Sequence, residues 1–187
     1  MYVSPIHKRL VKEIREQFRI NWHGHHGAPH WARVRHHGLR LGEQLRADLR
    51  VVELFAFLHD SQRENEHTDP GHGRRASSYA ATLRERGLID LDDSALNLLT
   101  TACNGHSDGH MDGDITVRVC WDADRLDLGR VGIKPDPRRL CTEPARDPDY
   151  IEHAWKWGLE QYHALQSAHD ASEGDGEMVR QGGPLGW

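Results

Sequence analysis

The ten residues VVELFAFLHD, positions 51–60, decide how this chain is read. Val51, Val52, Leu54, Phe55, Phe57 and Leu58 set apolar side chains on every side of a helix, and a helix apolar all round is normally buried. The stretch closes on His59 and Asp60. An imidazole and a carboxylate carried into an interior need a charge partner, a hydrogen-bond network or a cation. A His-Asp pair by itself says little, because a chain with 15 histidines in 187 residues holds about one such pair by chance. A second pair, His169–Asp170, stands in a polar stretch near the C-terminus and reads as a coincidence. The apolar run before His59 separates the two.

Outward from that stretch the pattern is helical. Ile6, Leu10, Ile14 and Phe18 recur every four residues and predict an amphipathic helix over 5–20. The loop after it, NWHGHHG, carries His23, His25 and His26, read as exposed loop residues. Pro29 suits the first turn of the next helix, whose stripe of Val34, Leu41 and Leu45 continues toward residue 47. The buried helix is expected over 51–63. Asp69–Pro70 reads as N-cap and first position of a helix to Arg86, stopped by Gly87. Asp92 or Asp93 caps another through Leu96, Leu99 and Cys103. A last helix over 148–169 carries Ile151, Ala154, Trp155, Leu159, Tyr162 and Leu165, with Gly158 inside the stripe as a place for close packing. Ile115, Val117 and Val119 alternate as in a strand, but WDADRLDLG after them reads as helix and no partner strand is evident, so the segment is assigned to a helix. The expectation is an all-α bundle of about seven helices, one domain over 1–170 and a flexible extension over 171–187, which holds five glycines and a proline.

Composition narrows the class. With 37% hydrophobic and 28% charged residues the chain suits a globular protein. No run approaches the roughly 20 apolar residues of a membrane span, and the amphipathic start MYVSPIHKRLVKEI lacks the apolar core of a signal peptide. Cys103, Cys120 and Cys141 are odd in number and form no CxxC, which fits reduced thiols and a cytoplasmic location. A net charge of −5 argues against a general nucleic-acid-binding surface. Residues 1–50 nevertheless carry +6 and the remainder −11. Solvated helix faces account for that split, and a basic N-terminal third also suits attraction of an anionic substrate.

Three stretches, GAPHWARVRHHGLRL, LFAFLHDSQRENEHTDPGHGRRAS and CWDADRLDLGRVGI, together resemble the HD-domain superfamily of metal-dependent phosphohydrolases, in its small single-domain form. The resemblance spans about residues 27–133 and keeps the order His…His-Asp…Asp. It implies His30 as first metal ligand, His59 and Asp60 as second and third, and Asp124 as fourth, the last chosen over Asp122 and Asp127 by its place in the ADRL string. Asp127, one turn on from Asp124, reads as a group supporting the ligands or as a surface charge. Imidazole and carboxylate together suit manganese, iron, cobalt, nickel, zinc or magnesium. DADRLD lacks the glycine and later glutamate of an EF-hand loop, which removes a calcium-loop reading.

His72 in PGHGRRA and His106 in NGHSDGH are further candidates. In HD relatives such histidines bind a second metal or contact phosphate, so a second metal near His72 and His106 is one expectation. His72 also falls in the first turn of its helix, where backbone N–H groups favour anions. Arg63, Arg74, Arg75 and Arg125 flank these motifs, and guanidinium clamps phosphate bidentately; Glu64 and Glu66 are weaker acid–base candidates. The implied activity is hydrolysis of a phosphate ester or anhydride of a nucleotide or similar small metabolite, with Asp60, His72, His106 and Arg63 as the catalytic set. Two rivals remain at this stage: a diiron HD-type oxygenase of a small molecule, and a non-enzymatic nucleotide- or metal-binding module. No membrane partner is expected.

Overall fold

The computed structural model describes residues 2–178, with side chains through Ser167. Its helices are α1 (Lys8–Gln17), α2 (Ala28–Leu45), α3 (Leu49–Leu58), α4 (His72–Glu85), α5 (Asp93–Gly105), α6 (Ile115–Leu126) and α7 (Pro148–Met178). Short 3-10 turns follow α6 at Asp127–Val131, Pro137–Arg139 and Pro144–Arg146, and no strand occurs among the described residues. The expected all-α, seven-helix bundle is the fold found.

The VVELFAFL run forms α3, which packs against α2, α5 and α6. Val51, Val52, Leu54, Phe55, Ala56 and Leu58 are buried, as its all-round apolarity requires. Glu53 is buried with them, its carboxylate held by Arg35 at 2.6 Å and by the Tyr2 hydroxyl. The helix stops at Leu58 instead of reaching 63. Ser61 closes it, donating its N–H at 3.0 Å and its hydroxyl at 2.8 Å to the Leu58 carbonyl. That turn swings Asp60 off the helix line.

Other boundaries move for similar local reasons. α1 is shorter than 5–20, because His7 Nδ1 accepts the Leu10 N–H at 3.2 Å and fixes the start, while Phe18 is extended. α4 begins at His72 and not at Asp69–Pro70, since the Asp69 carboxylate is taken by the Glu64 N–H at 2.9 Å and by Arg75 at 2.6 Å. The alternating segment after Asp114 is helix α6. Its buried residues Thr116, Val119, Cys120 and Ala123 follow the three-and-four spacing of a helix face, and Ile115 lies only half-buried. α7 runs on to Met178, past the expected 169, so it overlaps the expected extension; residues 179–187 and the side chains of His169 and Asp170 lie outside those described.

Two close approaches set the geometry of the bundle's centre. At Gly129 an added Cβ would stand 2.4 Å from the Trp155 carbonyl oxygen, and at Gly158 one would stand 2.8 Å from the Arg130 nitrogen. The glycine inside the α7 stripe therefore lets the 3-10 turn after α6 press onto α7. At Gly73 a Cβ would meet the Cys103 and Asn104 carbonyl oxygens at 2.6 and 2.9 Å, so the start of α4 crosses directly over the end of α5. Cys103, Cys120 and Cys141 are free and buried. Among the described residues no helix is long and apolar enough to cross a membrane.

Candidate metal centre

Five of the seven helices, α2 to α6, bring chemistry-bearing groups to one place. His30 comes from the first turn of α2, His59 and Asp60 from the end of α3, His72 from the start of α4, His106 from just beyond α5, and Asp124 from the last turn of α6. His30 Nε2 lies 3.0 Å from His59 Nε2, and the two sit 3.4 and 3.7 Å from Asp124 Oδ1. Both are 3.6 Å from Asp60 Oδ2. The other oxygen of the same carboxylate, Asp60 Oδ1, faces a second pair: His72 Nε2 at 3.3 Å and His106 Nε2 at 3.6 Å, themselves 2.8 Å apart. Asp60 is thus shared between two groups of atoms that could hold a metal ion, His30–His59–Asp60 and Asp60–His72–His106.

The far nitrogens fix which atoms face inward. His30 Nδ1 donates to Asp127 Oδ2 at 2.7 Å, His59 Nδ1 to the Phe55 carbonyl at 3.0 Å and His106 Nδ1 to the Cys103 carbonyl at 2.7 Å. His72 Nδ1 donates to the Asp69 carbonyl. A proton on Nδ1 leaves the Nε2 lone pair as the inward-facing atom, the arrangement in which metal-ligating histidines are held. Two lone pairs facing each other at 2.8–3.0 Å repel unless a proton or a metal cation lies between them. Asp60 Oδ1 and Asp124 Oδ1 are buried without a hydrogen-bond partner among the described residues, which points the same way. The donor set, imidazole nitrogen with carboxylate oxygen, fits a divalent transition cation.

Charge at the centre follows burial and neighbours. Burial pushes the His59 pKa down to about 3 and lowers that of His72. Burial also opposes charge on Asp60 and Asp124, but the surrounding imidazoles, joined at Asp124 by Arg130, outweigh it and hold both below the usual carboxylate range. His106 goes the other way: burial disfavours its charge, and Asp60 and Asp124 overcome that and raise its pKa. The two carboxylates draw positive charge to this spot.

Asp127 settles as a buried support for His30. Its carboxylate is gripped by Arg33 Nε at 2.5 Å and Nη2 at 2.9 Å, and Arg33 reaches on to Gln161 of α7. Asp122, the other rival to Asp124, instead accepts the N–H groups of Cys141 at 2.6 Å and Thr142 at 2.8 Å and binds a loop to α6. Arg63 is buried, its Nη1 3.6 Å from Asp60 Oδ1 and 3.4 Å from His72 Nε2. The remaining arginine candidates stand elsewhere. Arg74 is exposed, Arg75 pairs with Asp69, and Arg125 donates to the carbonyls of Arg139 and His110. Glu64 is exposed and pairs with Arg19 at 3.1 Å.

Three groups escaped the sequence reading. His26 and His25, read as exposed, are half-buried: His26 Nδ1 meets Glu66 Oε2 at 2.7 Å and His25 Nδ1 meets the Arg130 carbonyl at 2.9 Å. Trp22 and Trp31, packed edge to face at 5.3 Å, pin that loop onto α2. The third is Arg130 itself, buried beside Asp124 at 3.6 Å. A basic residue in the turn after a ligand-bearing helix was the signal available.

No protein-family model and no curated protein matches the chain. Its fold is similar to that of a crystal structure described as a predicted HD superfamily hydrolase from an uncultured Thermotogales bacterium, with a TM-score of 0.63 and 22% identity over 86% of this chain and 91% of that one. The likeness is one of fold, and this chain sets within that fold two buried His/Asp groups that could hold a metal ion.

Proposed function

We propose that this chain is a metal-dependent phosphohydrolase acting on a small phosphorylated metabolite, with nucleotides the leading class. The observation that carries the reading is Asp60, whose two oxygens each face a separate pair of histidines. His30, His59, Asp60 and Asp124 would hold one divalent cation, and Asp60, His72 and His106 a second. Divalent cations in such a pair acidify bound water and neutralise phosphoryl oxygens.

The protein's own groups account for the rest. Hydrogen bonds at Nδ1 fix all four imidazoles, so each presents a lone pair without rearrangement. The Asp124 side chain, 15% exposed against 2% or less for His30, His59 and Asp60, marks where the site opens. Arg63, anchored on the Asn65 and His67 carbonyls, turns its Nη1 toward the cluster, where it makes a long 3.4 Å contact with His72 Nε2 and suits an anionic group. His72 could serve as a phosphate contact or as a metal ligand, and its inward Nε2 beside Asp60 favours the ligand role. The structure of similar fold, described as a predicted HD superfamily hydrolase, supports hydrolysis by analogy.

Metal analysis of the purified protein followed by a phosphate-release screen over nucleotides and sugar phosphates tests the reading. Phosphate release that chelator abolishes and metal restores is the expected result. The second triad also favours a different chemistry, oxidation of a small molecule at two irons. About two irons per chain, substrate-dependent oxygen uptake and no phosphate released from any compound would replace the hydrolase reading with that one.

A further inference from the structure

Arg130 lies on the 3-10 turn after α6, held in place by the Gly129–Gly158 contact. Its side chain is 7% exposed. Nη1 donates to the Asp127 carbonyl at 3.1 Å. Nη2 stands 3.6 Å from Asp124 Oδ1, beyond hydrogen-bond reach. Nε is buried and has no partner among the described residues. A buried guanidinium with nitrogens unmatched carries a desolvation cost that a suitable anion would offset.

Arg63 has the complementary arrangement. Its Nε and Nη2 donate to the Asn65 and His67 carbonyls at 3.3 and 2.5 Å, and Nη1 is left facing Asp60 and His72. One guanidinium therefore approaches the centre on the Asp124 side and the other on the Asp60–His72 side. Asp60, Asp124 and Asp127 stand against Arg33, Arg63 and Arg130, and the next carboxylate outward, Glu66, meets His26, whose charge burial disfavours. Two divalent cations would therefore bring more positive charge than Glu66 can offset.

We propose that Arg130 and Arg63 form an oxyanion subsite for a doubly charged terminal phosphoryl group, so that the site selects phosphomonoesters and terminal phosphates over diesters. This rests on the phosphohydrolase reading above and adds a substrate class to it. A diester carries a single negative charge and offers fewer free oxygens, leaving one guanidinium buried and unmatched. A terminal phosphoryl group has oxygens for both forks and for the cations together.

The test uses the metal-loaded protein with inorganic phosphate as the probe, titrated by calorimetry into wild type, Arg130→Gln and Arg130→Lys. Arg130→Gln is expected to keep the wild-type metal content while phosphate affinity falls about ten- to a hundred-fold. Arg130→Lys, which restores charge without the planar fork, should recover only part of that loss, and it carries the test if Arg130→Gln fails to fold. In turnover, KM for an aryl phosphomonoester should rise in step with the phosphate Kd, while KM for the matching diester shifts less than threefold. Phosphate affinity within twofold of wild type in both variants would overturn the subsite. So would metal loss in parallel with phosphate loss, which would make Arg130 a positioning residue for Asp124, and so would a wild type that binds no phosphate. Loss of phosphate binding in Arg130→Gln from a protein that hydrolyses no phosphate ester would leave the subsite standing and remove the hydrolase reading instead.

Discussion

Gly73 rests on the same carbonyl oxygen that orients His106. An added Cβ at Gly73 would stand 2.6 Å from Cys103 O, and Cys103 O accepts the His106 Nδ1 proton at 2.7 Å. His72, next to Gly73 in the chain, meets His106 at 2.8 Å between their Nε2 atoms. One contact between α4 and α5 thus sets the two histidines of the second triad, whose carboxylate comes from the end of α3, while the first depends on α2, α3 and α6.

Gly73→Ala should separate the two triads in function. Backbone atoms, which cannot rotate aside, oppose the new methyl group, so α4 must lift from α5 at a cost of about 1–3 kcal/mol. The expected result is loss of one metal equivalent with the other retained, read by elemental analysis beside a denaturant melt. A variant with unchanged metal content would show that the helices absorb the methyl group without disturbing His72 and His106.

Asp60→Ala should remove metal from both triads at once, because its two oxygens serve one each. His72→Ala should spare the metal at His30 and His59. Wild-type metal content in Asp60→Ala would sink the site as assigned. Chelation of the wild type should lower its melting temperature, since a cation bound to the folded form alone stabilises it by about 2.7 kcal/mol when present at a hundred times its Kd.

The part of this centre legible in the sequence is the part written locally. The apolar run of α3 made burial of His59 and Asp60 readable from ten residues, and the order of motifs supplied His30 and Asp124. Arg33 and His26 were not readable as site groups, because what makes each one matter is a partner far along the chain, Asp127 for Arg33 and Glu66 for His26. Arg130 lies only six residues from Asp124, but the 3-10 turn that brings them together is set by packing on α7. The start of α4 was misplaced for the same kind of reason. Asp69 has the chemistry of an N-cap, but Arg75 and the Glu64 N–H compete for its carboxylate. Only the folded turn decides that competition.

Asp127→Asn tests how far His30 depends on its support. An amide oxygen can accept one of the donors now on the carboxylate, and its NH2 would face another. The substitution leaves the Arg33 guanidinium buried without its countercharge, expected to cost about 3–5 kcal/mol. Metal affinity at the first triad should weaken about ten- to a hundred-fold, measured by chelator competition. Affinity within twofold of wild type would show that His30 is held by packing and not by Asp127.

His37 gives a pH dependence separable from the metal centre. It lies one helical turn beyond Arg33 on α2, fully buried, with Nδ1 sharing a 2.8 Å hydrogen bond with the Tyr150 hydroxyl. Burial pushes its pKa down to about 3; Asp127 works against that shift, while His36, Arg33 and His153 add to it. In the unfolded chain the imidazole takes up its proton near the ordinary value of about 6.5. Between those two values the unfolded state binds more protons, so stability falls as pH falls, by about 1.4 kcal/mol per pH unit for a whole proton. Carrying the protein from pH 6.5, where the unfolded imidazole is half protonated, to pH 5 should therefore remove about 1.6 kcal/mol through this residue. His37→Asn keeps a side-chain partner for Tyr150 and cannot titrate. Denaturant melts of wild type and variant at both pH values isolate the difference, because the metal-site histidines contribute equally to each. A pH loss of equal size in the two proteins would mean that His37 reaches solvent and charges in the folded state.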